Sequence, residues 1–169
     1  MLMSAASWKT RLENEYEVMC NFPINTMFSW RIAPNQSVPH VKIYFVKYHV
    51  TTKVKQGGKL INQNTTEVKI TMPENPGAAP AVHIIGGAIP FHPNIYTNGS
   101  FCLGDIGGNE PNIWKLVINL GRILAFDPAR TNPNSPANGE AAADWKRKQS
   151  GIVKHYPCGK IDFPHPMGY

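Results

Sequence analysis

Three side chains within one thirteen-residue stretch have the chemistry to act together. The run Phe91-His92-Pro93-Asn94-Ile95-Tyr96-Thr97-Asn98-Gly99-Ser100-Phe101-Cys102-Leu103 holds a thiol, an amide and an imidazole. A thiolate attacking a carbonyl needs donors where negative charge develops, and an asparagine amide supplies one. Asn98-Gly99 is a tight-turn dipeptide, because both residues tolerate positive φ. Such a turn folds the arm 95–96 back against 100–102 and lays Asn94 beside Cys102. The amide can then serve the reaction, brace the loop through backbone hydrogen bonds, or do both. The bland alternative is a buried Cys102 that only packs, with Asn94 a plain turn residue.

His92 raises the prospect of a cysteine hydrolase in which the imidazole activates Cys102. It lies between Phe91 and Pro93, where the backbone is constrained, and no nearby acid orients it. We therefore expect a structural histidine that hydrogen-bonds its own loop. Metal binding by His83, His92 and Cys102 lacks any diagnostic ligand spacing, so no metal site is expected. Cys20 and Cys158 are far from Cys102 and from each other, without zinc-knuckle or redox-dithiol spacing. Both are expected to be structural or incidental.

The net charge of +6 is spread over Lys9 and Arg11, then Lys53, Lys55 and Lys59, then Lys146-Arg147-Lys148. A nucleic-acid module concentrates such charges in a stripe interleaved with aromatics, so no nucleic-acid partner is expected. A mildly basic surface suits an acidic protein partner equally well. No run approaches the roughly 18 apolar residues of a membrane span. The start, Met1-Leu2-Met3-Ser4, lacks a basic stretch followed by an apolar one. A cytoplasmic protein with reduced thiols and no membrane contact is the expectation.

The elements that must position the thiol follow from periodicity. The 169 residues suit one domain (1–169), and fifteen prolines with fourteen glycines favour short elements and many loops. A helix is predicted over 7–21, with Ser7 as N-cap and Leu12, Tyr16 and Met19 on one face, stopped by Pro23. Strands are predicted over 27–32, 41–54 (Val41, Ile43 and Phe45 on one parity), 67–72 (Val68, Ile70 and Met72) and 81–85. Lys55-Gln56-Gly57-Gly58-Lys59 is a turn by composition, and the whole reads as an antiparallel meander. A long irregular connection over 86–112, too apolar to be disordered, carries the candidate site. A helix over 113–126 buries Leu116, Val117, Leu120, Ile123 and Leu124 and stops at Asp127-Pro128. A proline-rich loop, 132–138, and a small-residue helical turn, 139–148, follow. The core is expected over about 7–145, with 146–169 a Pro/Gly-rich tail.

His92-Pro93-Asn94, with Cys102-Leu103 eight positions later, resembles the signature of ubiquitin-conjugating enzymes. Asn132-Pro133-Asn134-Ser135-Pro136-Ala137-Asn138, followed by Glu140-Ala141-Ala142, is similar to that family's loop after its central helix, and Trp114 matches the tryptophan opening that helix. The resemblance implies an α+β fold of the UBC type: N-terminal helix, four-stranded antiparallel meander, irregular active-site segment, central helix and a shortened C-terminal helical region. It implies that Cys102 takes the C-terminal acyl group of a ubiquitin-like protein from an activating enzyme as a thioester. Cys102 then passes it to an amine or thiol on an acceptor. By the same resemblance Asn94 stabilises the oxyanion or braces the loop, and His92 and Pro93 are structural. Ser135 shapes the approach of the acceptor lysine, with Asp105 helping there. No cofactor is implied for this chain, since ATP is consumed by the activating enzyme. Lys9 and Arg11 would meet that enzyme, and loops near Pro76 and Glu110-Pro111-Asn112 match positions used for a ligase. The Pro/Gly-rich tail, where eukaryotic members continue with two further helices, resembles prokaryotic relatives. Some of those serve antiphage operons. The rival readings are a catalytically inactive binding module of the same fold and the Cys102/His92 hydrolase.

Overall fold

In a computed structural model of the chain, residues 5–74, 78–104, 112–149, 156–157 and 161–169 are described. Helix α1 spans Ala5–Cys20 and buries Leu12, Val18 and Met19, as the helical spacing requires. Ser7 lies inside this helix, two residues past its first described position, so it is not the N-cap the sequence suggested.

Strands β1 (Phe28–Ile32), β2 (Ile43–Tyr48), β5 (Thr66–Thr71) and β6 (Ala81–Gly86) form one antiparallel sheet in that order. Between β2 and β5 the chain leaves the sheet as a separate hairpin, β3 (Thr52–Gln56) and β4 (Lys59–Gln63). The strand predicted over 41–54 is thus two strands, broken at 49–51. The second half pairs with β4, whose weakly alternating sequence gave no strand signal. Gly57 (φ 55°) and Gly58 (φ 76°) turn the hairpin, a left-handed pair that residues with a Cβ rarely adopt.

The alternation of β2 sorts into a buried and an outer parity. Tyr44, Val46 and Tyr48 are fully buried, whereas Ile43 and Phe45 lie on the outer face. The buried Tyr44 hydroxyl has no hydrogen-bond partner among the described residues, whereas Tyr48 is satisfied there, its Oη donating to the Val117 carbonyl at 2.6 Å. That bond fixes the sheet to the central helix.

The central helix α2 (Ile113–Leu124) buries Leu116, Val117, Leu120, Ile123 and Leu124, as the sequence pattern predicts. Its first turn is held from another element. The Ile113 N–H donates to Glu15 Oε2 of α1 at 2.9 Å, while Asn112 offers no side-chain cap. Burial raises the Glu15 carboxyl above its ordinary value, against the lowering effects of this bond and of Arg11. After α2, Phe126 turns at φ 56° and the buried Asp127 receives Arg122 Nε at 2.6 Å and Ala129 N–H at 2.9 Å. These bonds satisfy the buried carboxylate at the corner that launches the loop reaching the site.

Helix α3 (Gly139–Gln149) follows, its N-terminus capped by Asn138 Oδ1, which accepts the Ala141 N–H at 3.0 Å. The tail is not peripheral. Phe163 is 2% exposed among Phe28, Tyr48 and Gly121, and Tyr156 is buried against Phe126 and Trp145. The core therefore extends past the expected limit at residue 145. Removing one such aromatic from water contributes roughly 1.5–3 kcal/mol. Among the described residues no helix is long and apolar enough to cross a membrane.

Candidate active site

The irregular segment after β6 is ordered by backbone hydrogen bonds. Ile84 N–H donates to the Gly99 carbonyl at 2.9 Å, and Phe101 N–H to the Val82 carbonyl at 3.3 Å, so the segment rides on the sheet. The turn at 97–98 closes through Gly99 N–H to the Tyr96 carbonyl (2.9 Å), and Tyr96 N–H returns to the Ser100 carbonyl (2.8 Å). Only Gly99 takes positive φ (87°); Asn98 instead accepts from Ser100 N–H (3.0 Å) and Oγ (2.6 Å) through its side chain. Folding back brings Cys102 N–H onto the Asn94 carbonyl at 2.8 Å. The two residues the turn was expected to join are adjacent in space.

A second loop, 131–138, closes over the first. The Pro93 carbonyl accepts Ala137 N–H at 2.8 Å and Asn138 N–H at 3.2 Å. One residue on, Asn94 Oδ1 accepts the Asn132 N–H at 2.9 Å. With that oxygen engaged, the donor end of the amide is what Asn94 offers to the adjoining space. That space is a cleft of about 330 Å³ lined by Asn94, Cys102, Leu103, Gly104, residues 129–134 and Ser135. Cys102 is half-buried in it, and Ser135 is exposed at its edge with its N–H held by Asn132 Oδ1 at 3.3 Å.

His92 is fully buried. Its Nδ1 accepts the Asn94 N–H at 2.9 Å, which places the ring proton on Nε2. Nε2 lies 3.5 Å from Thr131 Oγ1 and bonds the backbone at Ile123, and the ring centroid is 4.4 Å from that of Phe126. Burial lowers its pKa to about 3, only partly opposed by the Ile123 bond. One ring nitrogen is engaged by its own loop and the other faces the central helix and the loop that follows it, the arrangement of a structural histidine rather than a base.

Sequence reasoning missed Tyr96 and Asn132. The Tyr96 hydroxyl hydrogen-bonds the Cys102 sulfur; the charge of that sulfur, then the bond itself, raises the phenol above its ordinary value. Its signal was available, since the Asn98-Gly99 turn places 95–96 opposite 100–102. Asn132 had no such signal, because its bond to Asn94 spans 38 residues.

Of the other expected site residues, Asp105 lies outside the described residues, as do Pro76, Glu110, Pro111 and Cys158. Lys9 is exposed on α1, and Arg11 lines a separate groove with Glu15, Asn112 and Tyr169, its guanidinium 5.6 Å from the Trp8 ring centroid. Cys20 is exposed at the end of α1. Among the described residues no group of three or more His, Cys, Asp or Glu is placed to hold a metal.

Residues 44–156 match the family model described as ubiquitin-conjugating enzyme. "Ubiquitin-conjugating enzyme E2 2" of Mycosarcoma maydis is 35% identical over 97 residues, covering 53% of this chain and 48% of the relative. "Ubiquitin-conjugating enzyme E2 7" of Triticum aestivum is 31% identical over 97 residues, covering 50% and 56%. The chain thus spans about half the length of these curated relatives. The solved E2 domain of a Toxoplasma gondii ubiquitin conjugating enzyme superposes with a TM-score of 0.55 at 18% identity, over 83% of this chain and 88% of that one. At that identity the likeness concerns the fold.

Proposed function

Because the chain belongs to the ubiquitin-conjugating enzyme family, we propose that it carries a ubiquitin-like protein as a thioester on Cys102 and transfers it to an amine or thiol. The observation that carries this reading is the cleft in which a half-buried Cys102 adjoins an Asn94 amide whose oxygen is already fixed by Asn132. In loading, the Cys102 sulfur attacks the thioester carbonyl presented by an activating enzyme; the new C–S bond forms and the enzyme's own C–S bond breaks. In transfer, the acceptor nitrogen attacks the same carbonyl, the oxyanion develops, and the Cys102 thiolate leaves while the amine sheds its proton. Asn94 Nδ2 donates to the oxyanion, a role that in comparable sites is worth roughly 10²–10³ in rate.

A thioester is already activated, so positioning and water exclusion supply most of what remains. Tyr96 interacts with Cys102, and Ser135 lines the cleft. Asp105 keeps its assignment near the acceptor on the family resemblance. The residues described need no cofactor for these steps; ATP belongs to the activating enzyme. The partners proposed are that enzyme, docking on α1 at Lys9 and Arg11, the ubiquitin-like cargo, an acceptor and, for some substrates, a ligase. A bacterial conjugation system acting against phage in the cytoplasm is the proposed setting, on the resemblance of the Pro/Gly-rich tail sequence to prokaryotic relatives. The test is thioester trapping with a cognate activating enzyme, cargo and ATP on a non-reducing gel. A reducible adduct lost in Cys102→Ala supports the reading, and its absence with a demonstrably active activating enzyme refutes it.

A further inference from the structure

The β3–β4 hairpin and α3 line a second, open cavity of about 550 Å³, distinct from the cleft of Cys102. Phe91 lines this cavity and Asn94 lines the cleft of the thiol, three residues apart. The hairpin is anchored there: Phe91 N–H donates to the Lys53 carbonyl at 2.8 Å, and Val54 bridges Pro90. Lys53, Lys55 and Lys59 come from the hairpin, and Arg147 and Lys148 from α3. Glu140 and Asp144 are the carboxylates among the lining residues, so five positive charges face two negative ones.

Part of this charge has a local explanation. Lys55 pairs with Glu140, and Arg147 and Lys148 pair with Asp144 at 2.6 and 3.0 Å. Cations in the last turn of α3 also complement its dipole. Lys53 and Lys59 have no carboxylate partner among the described residues. Among the described residues no carboxylate offsets the repulsion of gathering them beside an already paired network. Leu60 and the Phe91 ring, with Lys55 Nζ 5.3 Å from the ring centroid, give the cavity an apolar wall. Concave shape, excess positive charge and a short apolar wall fit an extended acidic peptide that carries an occasional apolar side chain.

We infer that this cavity docks an acidic segment of a protein partner. The inference is independent of the thioester reading, since binding here can be measured without any acyl transfer. The lysines would act chiefly on the encounter, raising the association rate and the salt dependence of binding.

The test is fluorescence polarisation of the full chain with a fluorescein-labelled peptide, Gly-Glu-Glu-Asp-Leu-Glu-Asp-Glu-Gly, at 50 and 300 mM NaCl. The control probe is a labelled eight-nucleotide DNA strand. The double variant Lys53→Glu/Lys59→Glu is compared with Lys47→Glu/Lys69→Glu, which changes net charge equally on strands β2 and β5. Thermal melts establish that both variants are folded, and Lys53→Gln/Lys59→Gln serves if the reversal does not fold. The expected result is saturable peptide binding that weakens about tenfold in the cavity variant, weakens with salt, and is unchanged in the sheet variant. Equal losses in both variants, no binding at 50 mM NaCl, or tighter lysine-dependent binding of the oligonucleotide would each overturn the proposal.

Discussion

The side-chain carbonyl of Asn94 accepts the backbone N–H of Asn132 at 2.9 Å, tying the cysteine-bearing segment to the loop that follows the central helix. The amide oxygen holds two loops together, and the proposed catalytic role falls to the amide nitrogen. Replacing Asn94 by Asp keeps an acceptor for Asn132 while removing the donor. In single-turnover assays Asn94→Asp is expected to lose roughly 10²–10³ in transfer rate, together with some stability because the new carboxylate is buried. Asn94→Ala loses the tie as well, and its unfolding free energy is expected to fall by about 1–3 kcal/mol. Equal transfer by Asn94→Asp and wild type would reduce the residue to a brace.

Tyr96 interacts with Cys102, whose charge and hydrogen bond raise the phenol above its ordinary value. Tyr96→Phe removes one donor to the thiolate and leaves the fold intact, since the ring is 42% exposed. Alkylation of Cys102 by iodoacetamide at neutral pH should slow about threefold, in line with the loss of one exposed charge-assisted hydrogen bond. Unchanged alkylation would mean that the contact does not persist in solution.

His92 is expected to set an acid limit on stability. Its pKa is lowered from 6.5 in the unfolded chain to about 3 by burial. Between those values the unfolded chain binds the extra proton, so stability rises with pH and falls as pH drops below 6.5. From pH 7 to pH 5 this one group should remove about 2 kcal/mol. Glu15, whose pKa is raised, changes stability in the opposite direction. The contribution of His92 is therefore read as the difference between wild type and His92→Gln in urea melts at the two pH values. Parallel pH dependence in the two proteins would contradict the assignment.

The tail acts as a core element through Phe163. A methyl group at Gly121 would overlap the Phe163 ring and stand 3.0 Å from Tyr48 Cε1. Phe163→Ala is expected to cost about 3–5 kcal/mol, and Gly121→Ala about 1–3 kcal/mol through overpacking. Because the two residues share one contact, the double variant should cost less than their sum. Additive losses would show that the tail is not seated on α2.

What could be read from the sequence was what local spacing encodes. The apolar positions of 113–124 fall on one helical face, and the Asn98-Gly99 turn brings Asn94 to Cys102, because both are short-range consequences of residue type. Which parity of β2 is buried was not legible, because both carry apolar or aromatic side chains. Burial there was decided by Tyr48 reaching the Val117 carbonyl 69 residues away. Likewise Lys59–Gln63 became a strand by pairing with β3 rather than through its own alternation. The hold of Asn132 on Asn94 and the seat of Phe163 on Gly121 are tertiary facts with no local pattern to announce them.

The decisive measurement is thioester trapping on the three single cysteine variants, with an active cognate activating enzyme, its ubiquitin-like protein and ATP. A carrier role for Cys102 requires a reducible adduct in wild type, Cys20→Ala and Cys158→Ala, none in Cys102→Ala, and a reductant-resistant ester in Cys102→Ser. An adduct that survives Cys102→Ala, or no adduct on any chain, would contradict it and return Cys102 to the role of a packing residue.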